Sequence, residues 1–207
     1  MFIKCLTVGH LMTNCYVVGD EATRVCAVID PGDESNTILD YLEDMHLKCE
    51  AILLTHGHYD HVGAVETLHE ETGALVYMHA ADAGSAVGSD FYAFAPPEGS
   101  VMLHEGSLVK VGPLTFDVLE TPGHTPGGVT FRCENALFTG DTLFRGSCGR
   151  TDFPGGDMEQ ELRSLARLAS LAGDYEVYPG HMDFSTLDFE RRYNPYITAL
   201  RRRGDVD

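Results

Sequence analysis

Three histidines and an aspartate fall within one heptapeptide, Thr55-His56-Gly57-His58-Tyr59-Asp60-His61. Neutral imidazole and carboxylate are ligands suited to zinc, iron or manganese. His56 and His58, two apart on an irregular turn, can aim at one ion. Asp60 and His61 follow at once and can serve a second. A tight loop can hold two ions about 3.5–4 Å apart when a bridging group joins them. More ligands must then come from elsewhere. His124 stands in Thr-Pro-Gly-His-Thr-Pro-Gly-Gly, Asp141 in Phe-Thr-Gly-Asp-Thr, and His181 in Tyr-Pro-Gly-His. Each has a glycine directly before it, which lets the backbone turn tightly.

Taken singly, these residues have ordinary readings. A lone histidine is more often a core or surface residue than a ligand. Asp60 can cap a helix, and Asp141 can be a turn residue. Four metal-type residues in one heptapeptide, with three more at strand ends, are a poor accident. His10, His46, His69, His79 and His104 lack such a setting and are left on the ordinary reading.

The positioning elements follow from pattern. Residues 51–54 form a short apolar run bounded like a buried strand, so the heptapeptide leaves a strand's carboxyl end, where α/β sheets place ligands. A helix is expected from Val62 to Gly73. Strand-like runs 114–119, 136–139 and 175–178 deliver His124, Asp141 and His181. Further strands are expected at 2–8, 14–18, 24–29, 74–78, 108–111 and 129–133. Helices are expected at 35–45, at 80–87, from an Asp157 cap paired with Gln160, and at 185–192 and 195–203. Residues 88–100 read as an aromatic-bearing surface loop. Strands followed by helices in both halves give an α+β chain: a four-layer αβ/βα sandwich of two packed mixed sheets with helices outside, one domain over 1–207.

Composition narrows the function. Of 207 residues, 43% are hydrophobic, enough for a sizeable core. The formal charge is −18, from 32 acidic and 14 basic residues, a balance that repels phosphate backbones and anionic lipid and so excludes nucleic acid as an expected partner. No stretch reads as a secretion signal or a membrane span. The six cysteines form no C-x-x-C pair, and several sit in strand-like runs as small hydrophobes. Reduced thiols and a cytoplasmic location are expected.

The motif H-x-H-x-D-H at His56, His58, Asp60 and His61, joined by His124, Asp141 and His181, resembles the metallo-β-lactamase fold superfamily over nearly the whole chain. Thr-Pro-Gly-His-Thr-Pro-Gly at 121–127, Gly-Asp-Thr-Leu-Phe at 140–144 and Gly-Arg-Thr-Asp-Phe-Pro-Gly-Gly at 149–156 are most similar to the glyoxalase II-like hydroxyacylglutathione hydrolases. The resemblance implies a first ion on His56, His58 and His124, a second on Asp60, His61 and His181, and Asp141 bridging both. It implies two divalent ions, zinc foremost with iron or manganese as alternatives, and a bridging hydroxide that attacks a thioester or ester carbonyl. Asp60 would both bind metal and orient the hydroxide. Asp30 would steady the His56 loop from behind the ligands. Arg150 would bind a substrate carboxylate through its planar fork, against the plain alternative of a surface ion pair with Asp152 or Asp157.

The chain departs from that group at two points. It stops at Asp207, where relatives carry a helical glutathione-gripping extension, and it has Met182-Asp183 where they have Glu-Tyr. These departures weigh against glutathione specificity and leave room for a smaller thioester, S-lactoylglutathione held weakly, or a related ester as substrate. Another reading within the superfamily is a persulfide dioxygenase with one iron on His56, His124 and Asp141. A lactonase-type hydrolase and a non-catalytic metal-binding module are further alternatives.

Overall fold

The computed structural model of the chain describes residues 1–84 and 94–204. The first half runs β1 (Phe2–Val8), β2 (Thr13–Gly19), β3 (Val25–Ile29), α1 (Ser35–Asp44), β4 (Lys48–Leu53), α2 (Tyr59–Val62), α3 (Val65–Thr72), β5 (Leu75–His79) and β6 (Val101–Leu103). Its strands make one six-stranded sheet in chain order. The pairs β1–β2 and β2–β3 are antiparallel, and the pairs from β3 to β6 are parallel.

The second half runs β7 (Leu108–Val111), β8 (Leu114–Glu120), β9 (Val129–Cys133), β10 (Ala136–Gly140), β11 (Leu143–Phe144), β12 (Ser147–Cys148), α4 (Met158–Ala169), β13 (Glu176–Pro179), β14 (Ser185–Thr186), α5 (Leu187–Tyr193) and α6 (Pro195–Arg203). Its main sheet has the order β14-β13-β10-β9-β8-β7, with β11 and β12 as a separate hairpin. The β10–β13 pair is parallel, with α4 in the crossover between its strands.

Three apolar clusters account for four layers. Tyr16, Ile29 and Leu53 of one sheet meet Phe116, Phe131 and Phe138 of the other at the centre. Val17, Val28 and Ile52 on the opposite face of the first sheet meet Ile38 and Leu42 of α1 and Val65 and Leu68 of α3. Leu137 and Val177 of the second sheet meet Leu165 and Leu168 of α4, Leu187 of α5, and Ile197 and Leu200 of α6. Alternate residues of a strand point to opposite faces, so β2 and β4 serve two layers at once. Full burial of such a side chain contributes about 1.5–3 kcal/mol, so these clusters hold together the frame beneath the site loops.

Several local expectations change. Asp60 and His61 lie on the short helix α2, not on a loop. The single helix expected from Val62 is broken at Gly63-Ala64. There the Ala64 N–H donates to Pro31 O at 2.9 Å, and a Cβ on Gly63 would sit 2.3 Å from Gly32 O. Close approach of the β3 turn is what breaks the helix. Strand β4 begins earlier than expected, at Lys48. Ser185 and Thr186 form β14 against β13, and α5 starts only after Thr186 caps it by accepting from Phe189 N. Asp157 caps α4, but Gln160 Nε2 donates to the Asp157 carboxylate at 3.0 Å instead of reaching back to the backbone. Of the helix expected at 80–87, Ala80–Asp82 is a 3₁₀ turn and 85–87 lie outside the described residues. Residues 88–93 of the expected loop also lie outside them; Phe94 packs on the first outer cluster.

Candidate metal centre

The seven ligand candidates leave the carboxyl ends of strands in both sheets. His56 and His58 follow β4, and Asp60 and His61 sit on α2. His124 lies between β8 and β9, Asp141 follows β10, and His181 follows β13. The fold brings all seven together. His124 Nε2 lies 2.9 Å from His58 Nδ1, and His61 Nε2 lies 3.3 Å from His181 Nε2. Asp141 stands between the groups, its carboxylate 3.5 Å from His124 Nε2, 3.4 Å from His61 Nε2 and 3.5 Å from His181 Nε2. Asp60 Oδ2 is 3.2 Å from His181 Nε2 and accepts from Thr13 Oγ1 at 3.3 Å.

The outer ring nitrogens are held from behind. Asp30, left-handed at φ 51° at the end of β3, accepts from Thr55 N at 2.8 Å and Thr55 Oγ1 at 2.6 Å. Its Oδ2 also faces His61 Nδ1 at 3.0 Å. Since the Thr55 hydroxyl donates to Asp30, its oxygen accepts from His56 Nδ1 at 3.0 Å. His124 Nδ1 donates to Arg150 O at 2.7 Å. Each contact places a ring proton on the outer nitrogen and leaves the inner nitrogen facing the centre, the arrangement by which ligating histidines are oriented. His56 Nε2 and Asp141 Oδ1 are buried and without a hydrogen-bond partner, and such orphaned atoms call for an occupant. Among the described residues, three sets of potential ligand atoms result: His56/His58/His124, Asp60/His61/His181 and Asp30/His56/His61. The Asp30 carboxylate is already engaged by Thr55 and His61, so the first two sets fit divalent ions best.

Charge fits the same occupant. Burial and then the neighbouring imidazoles push His56 well below its ordinary value, and burial with His124 lowers His58 to about 4. Both are therefore neutral, the ligating form. Burial opposes protonation of His61, but Asp141 and Asp30 outweigh it and raise the ring to about 9. Burial would raise Asp60, yet the His181 hydrogen bond and the His61 charge hold it below the carboxylate range. Among the described residues, Asp30, Asp60 and Asp141 form ion pairs only with histidines. No lysine or arginine among the described residues shares in neutralising these acids, and a bound divalent ion would do so.

The centre floors a cavity of about 670 Å³ walled by Leu11, Tyr59, Phe144, Cys148, Phe153 and Met182. Burial, with Glu161 adding to it, pushes the Cys148 thiol up to about 12, so it is a wall and no nucleophile. Arg150 also lines the cavity. Its guanidinium forks onto Asp152 with two 2.7 Å hydrogen bonds and lies 3.8 Å from the Phe153 ring centroid. The ion pair and the cavity position coexist.

Sequence reasoning missed the buried carboxylates Asp82 and Glu161, because their partners are backbone N–H groups distant in the chain. Glu161 accepts from His124 N at 3.0 Å. Burial pushes its carboxyl up to about 9, opposed by the His124 N–H and reinforced by Asp141. The folded protein therefore keeps a proton that the unfolded chain releases above its ordinary value of 4.5. That stability is whole below pH 4.5, declines as pH rises, and is gone above about pH 9. The slope is at most about 1.4 kcal/mol per pH unit. Glu161→Gln keeps an oxygen for His124 N and loses the titration. In metal-free protein, its denaturation midpoint should gain on the parent's steadily from pH 5 to pH 9. A constant difference would remove Glu161 as the source.

Comparison with known proteins adds relationships. The metallo-beta-lactamase superfamily model matches residues 8–181. Hydroxyacylglutathione hydrolase GloC of Haemophilus influenzae is 33% identical, over 96% of this chain and 99% of its own. The crystal structure of ETHE1 from Myxococcus xanthus superposes with a TM-score of 0.83 at 30% identity, covering 100% of this chain and 92% of that one. TTHA1623, solved in a di-iron-bound form, gives 0.81 at 40% identity, covering 93% and 99%.

Proposed function

The chain belongs to the metallo-beta-lactamase superfamily, and on that footing we propose that it is a dinuclear metal-dependent hydrolase of thioesters, S-lactoylglutathione-like, or related esters. One observation carries the reading: two inward-facing sets of potential ligands lie on the floor of a substrate-sized cavity, with the Asp141 carboxylate 3.4 Å from His61 of one and 3.5 Å from His124 of the other. Likeness to a hydroxyacylglutathione hydrolase supports the thioester class.

His56, His58 and His124 would hold one ion, Asp60, His61 and His181 the other, with Asp141 between. Bound there, the pair would polarise the carbonyl and lower the pKa of water to about 7. Zinc fits the nitrogen-rich set, and iron fits equally. The chain's own groups do the rest. Asp60, ionised and at the cavity wall, accepts a hydrogen bond from the attacking water and fixes its approach. The protons on His56 Nδ1 and His124 Nδ1 are held away from the cavity by Thr55 and Arg150 O. A thiolate leaving group, with a pKa of about 8.5, departs without a side-chain acid. Leu11, Phe144 and Phe153 keep bulk water from the acyl group, and Arg150 engages a substrate carboxylate by exchanging Asp152 for it.

Freshly purified protein should carry close to two metal ions per chain and release thiol from S-lactoylglutathione or a smaller thioester. A second reading is favoured by the likeness to ETHE1, a persulfide dioxygenase: one iron on His56, His124 and Asp141. Oxygen uptake with a persulfide, and no thioester cleavage, would replace the first reading with the second. On the same substrate panel, Arg150→Ala should raise KM about tenfold for carboxylate-bearing thioesters, the scale of one charge-assisted contact. Neutral thioesters should be little changed. Equal effects on both would reject the anion-anchoring role.

A further inference from the structure

Asp82 closes the 3₁₀ turn after β5, with only 7% of its surface exposed. Its Oδ2 accepts from Gly57 N at 3.0 Å and its Oδ1 from Gly127 N at 2.6 Å. Gly57 separates His56 from His58, and Gly127 stands three residues beyond His124. One carboxylate therefore ties the ligand loop of the first sheet to a ligand loop of the second. Both glycines are needed at that distance. A Cβ on Gly57 would lie 2.9 Å from Asp82 O, and one on Gly127 would lie 2.6 Å from Asp82 Oδ1.

The turn presenting Asp82 is itself fixed. His79 Nδ1 accepts from Ala81 N at 3.2 Å, and Gly84 N donates to Phe94 O at 2.7 Å. A buried carboxylate is tolerated only when its oxygens are hydrogen-bonded, and here both oxygens accept backbone N–H groups, one from each loop. The strap is therefore stiff.

We infer that Asp82 is a positioning residue for the His56/His58/His124 set alone, fixing how far His124 stands from the His56-Gly57-His58 turn. The inference rests on the two-ion reading above. The Asp60/His61/His181 set is held differently, through Asp30 on His61 and Thr13 on Asp60. Loss of the strap should therefore act on one ion only.

The test is titration of metal-free parent, Asp82→Asn and Asp82→Ala with Zn(II) against a chromophoric chelator, and with Co(II) followed by visible absorption. The parent should take two ions. Each variant should keep one at parental affinity and bind the other roughly 10–100-fold more weakly, the usual effect of removing a group that orients ligands. Asp82→Asn should lose less than Asp82→Ala, since its amide oxygen retains one acceptor. Circular dichroism of the metal-free forms should match the parent. Unchanged affinity for both ions, or equal weakening of both, would overturn the assignment. So would failure of Asp82→Asn to fold, which would make Asp82 a stability residue. A parent that binds no ion would instead sink the two-ion reading.

Discussion

Replacing His58 with alanine is expected to cut hydrolysis by roughly three orders of magnitude, since losing one ion forfeits about 4 kcal/mol of charge stabilisation in the transition state. Metal content should fall from two ions toward one, while the metal-free variant keeps its melting temperature within a few degrees. The chain tolerates the change because His58 opens onto the cavity and is held neutral by burial and by its neighbour His124. Removing it strands no buried charge. His58 Nδ1 lies 2.9 Å from His124 Nε2, so its loss opens one set and leaves Asp60, His61 and His181 intact. Full turnover in His58→Ala, or two ions retained, would remove His58 from the ligand set.

The second large effect concerns a residue with no side chain. A Cβ on Gly180 would sit 2.3 Å from Asp141 Oδ1 and 2.7 Å from His61 Cε1. Asp141 has the shorter route to relief, by swinging away from its place between the two sets. Gly180→Ala should therefore lower kcat by about 10²–10³, the scale of removing one preorganised charge-stabilising group, with a smaller change in stability. Gly173→Ala is the control. Gly173 has φ +87° and an added Cβ would meet nothing within 4 Å, so alanine there costs about 1 kcal/mol of backbone strain and should leave kcat untouched. If the two variants lose activity alike, Asp141 is not the group displaced.

Much of this architecture is legible in the residues themselves. Short runs rich in apolar residues mark β1, β4 and β8, and the Asp157 cap marks α4, because those signals are local. The heptapeptide and the three glycine-preceded residues announce the centre for the same reason. What escapes is non-local. The break at Gly63 depends on Gly32 O arriving from another turn. The two-residue strands β11 and β12 are too short for any periodicity. Their turn is held by Glu190, whose Oε2 accepts from Gly146 N at 2.9 Å, across a separation no pattern reports. Asp82 and Glu161 read as ordinary surface acids until their backbone partners are known. Arg150 lies between these cases: its chemistry is legible, but its fork on Asp152 depends on the path of the loop.

The two sheets each bring part of one constellation: His56, His58, Asp60 and His61 from one side, His124, Asp141 and His181 from the other. Each proposed ligand set draws on both halves, so neither set is complete before the two have docked, and His181 takes its place only when β13 lies beside β10. On the two-ion reading, metal loading would be a late step of maturation, and a bound ion would act as a clasp across the seam. Each tenfold excess of free ion over its dissociation constant would add about 1.4 kcal/mol to the closed form, so the cell's metal supply would also tune how firmly the halves stay shut.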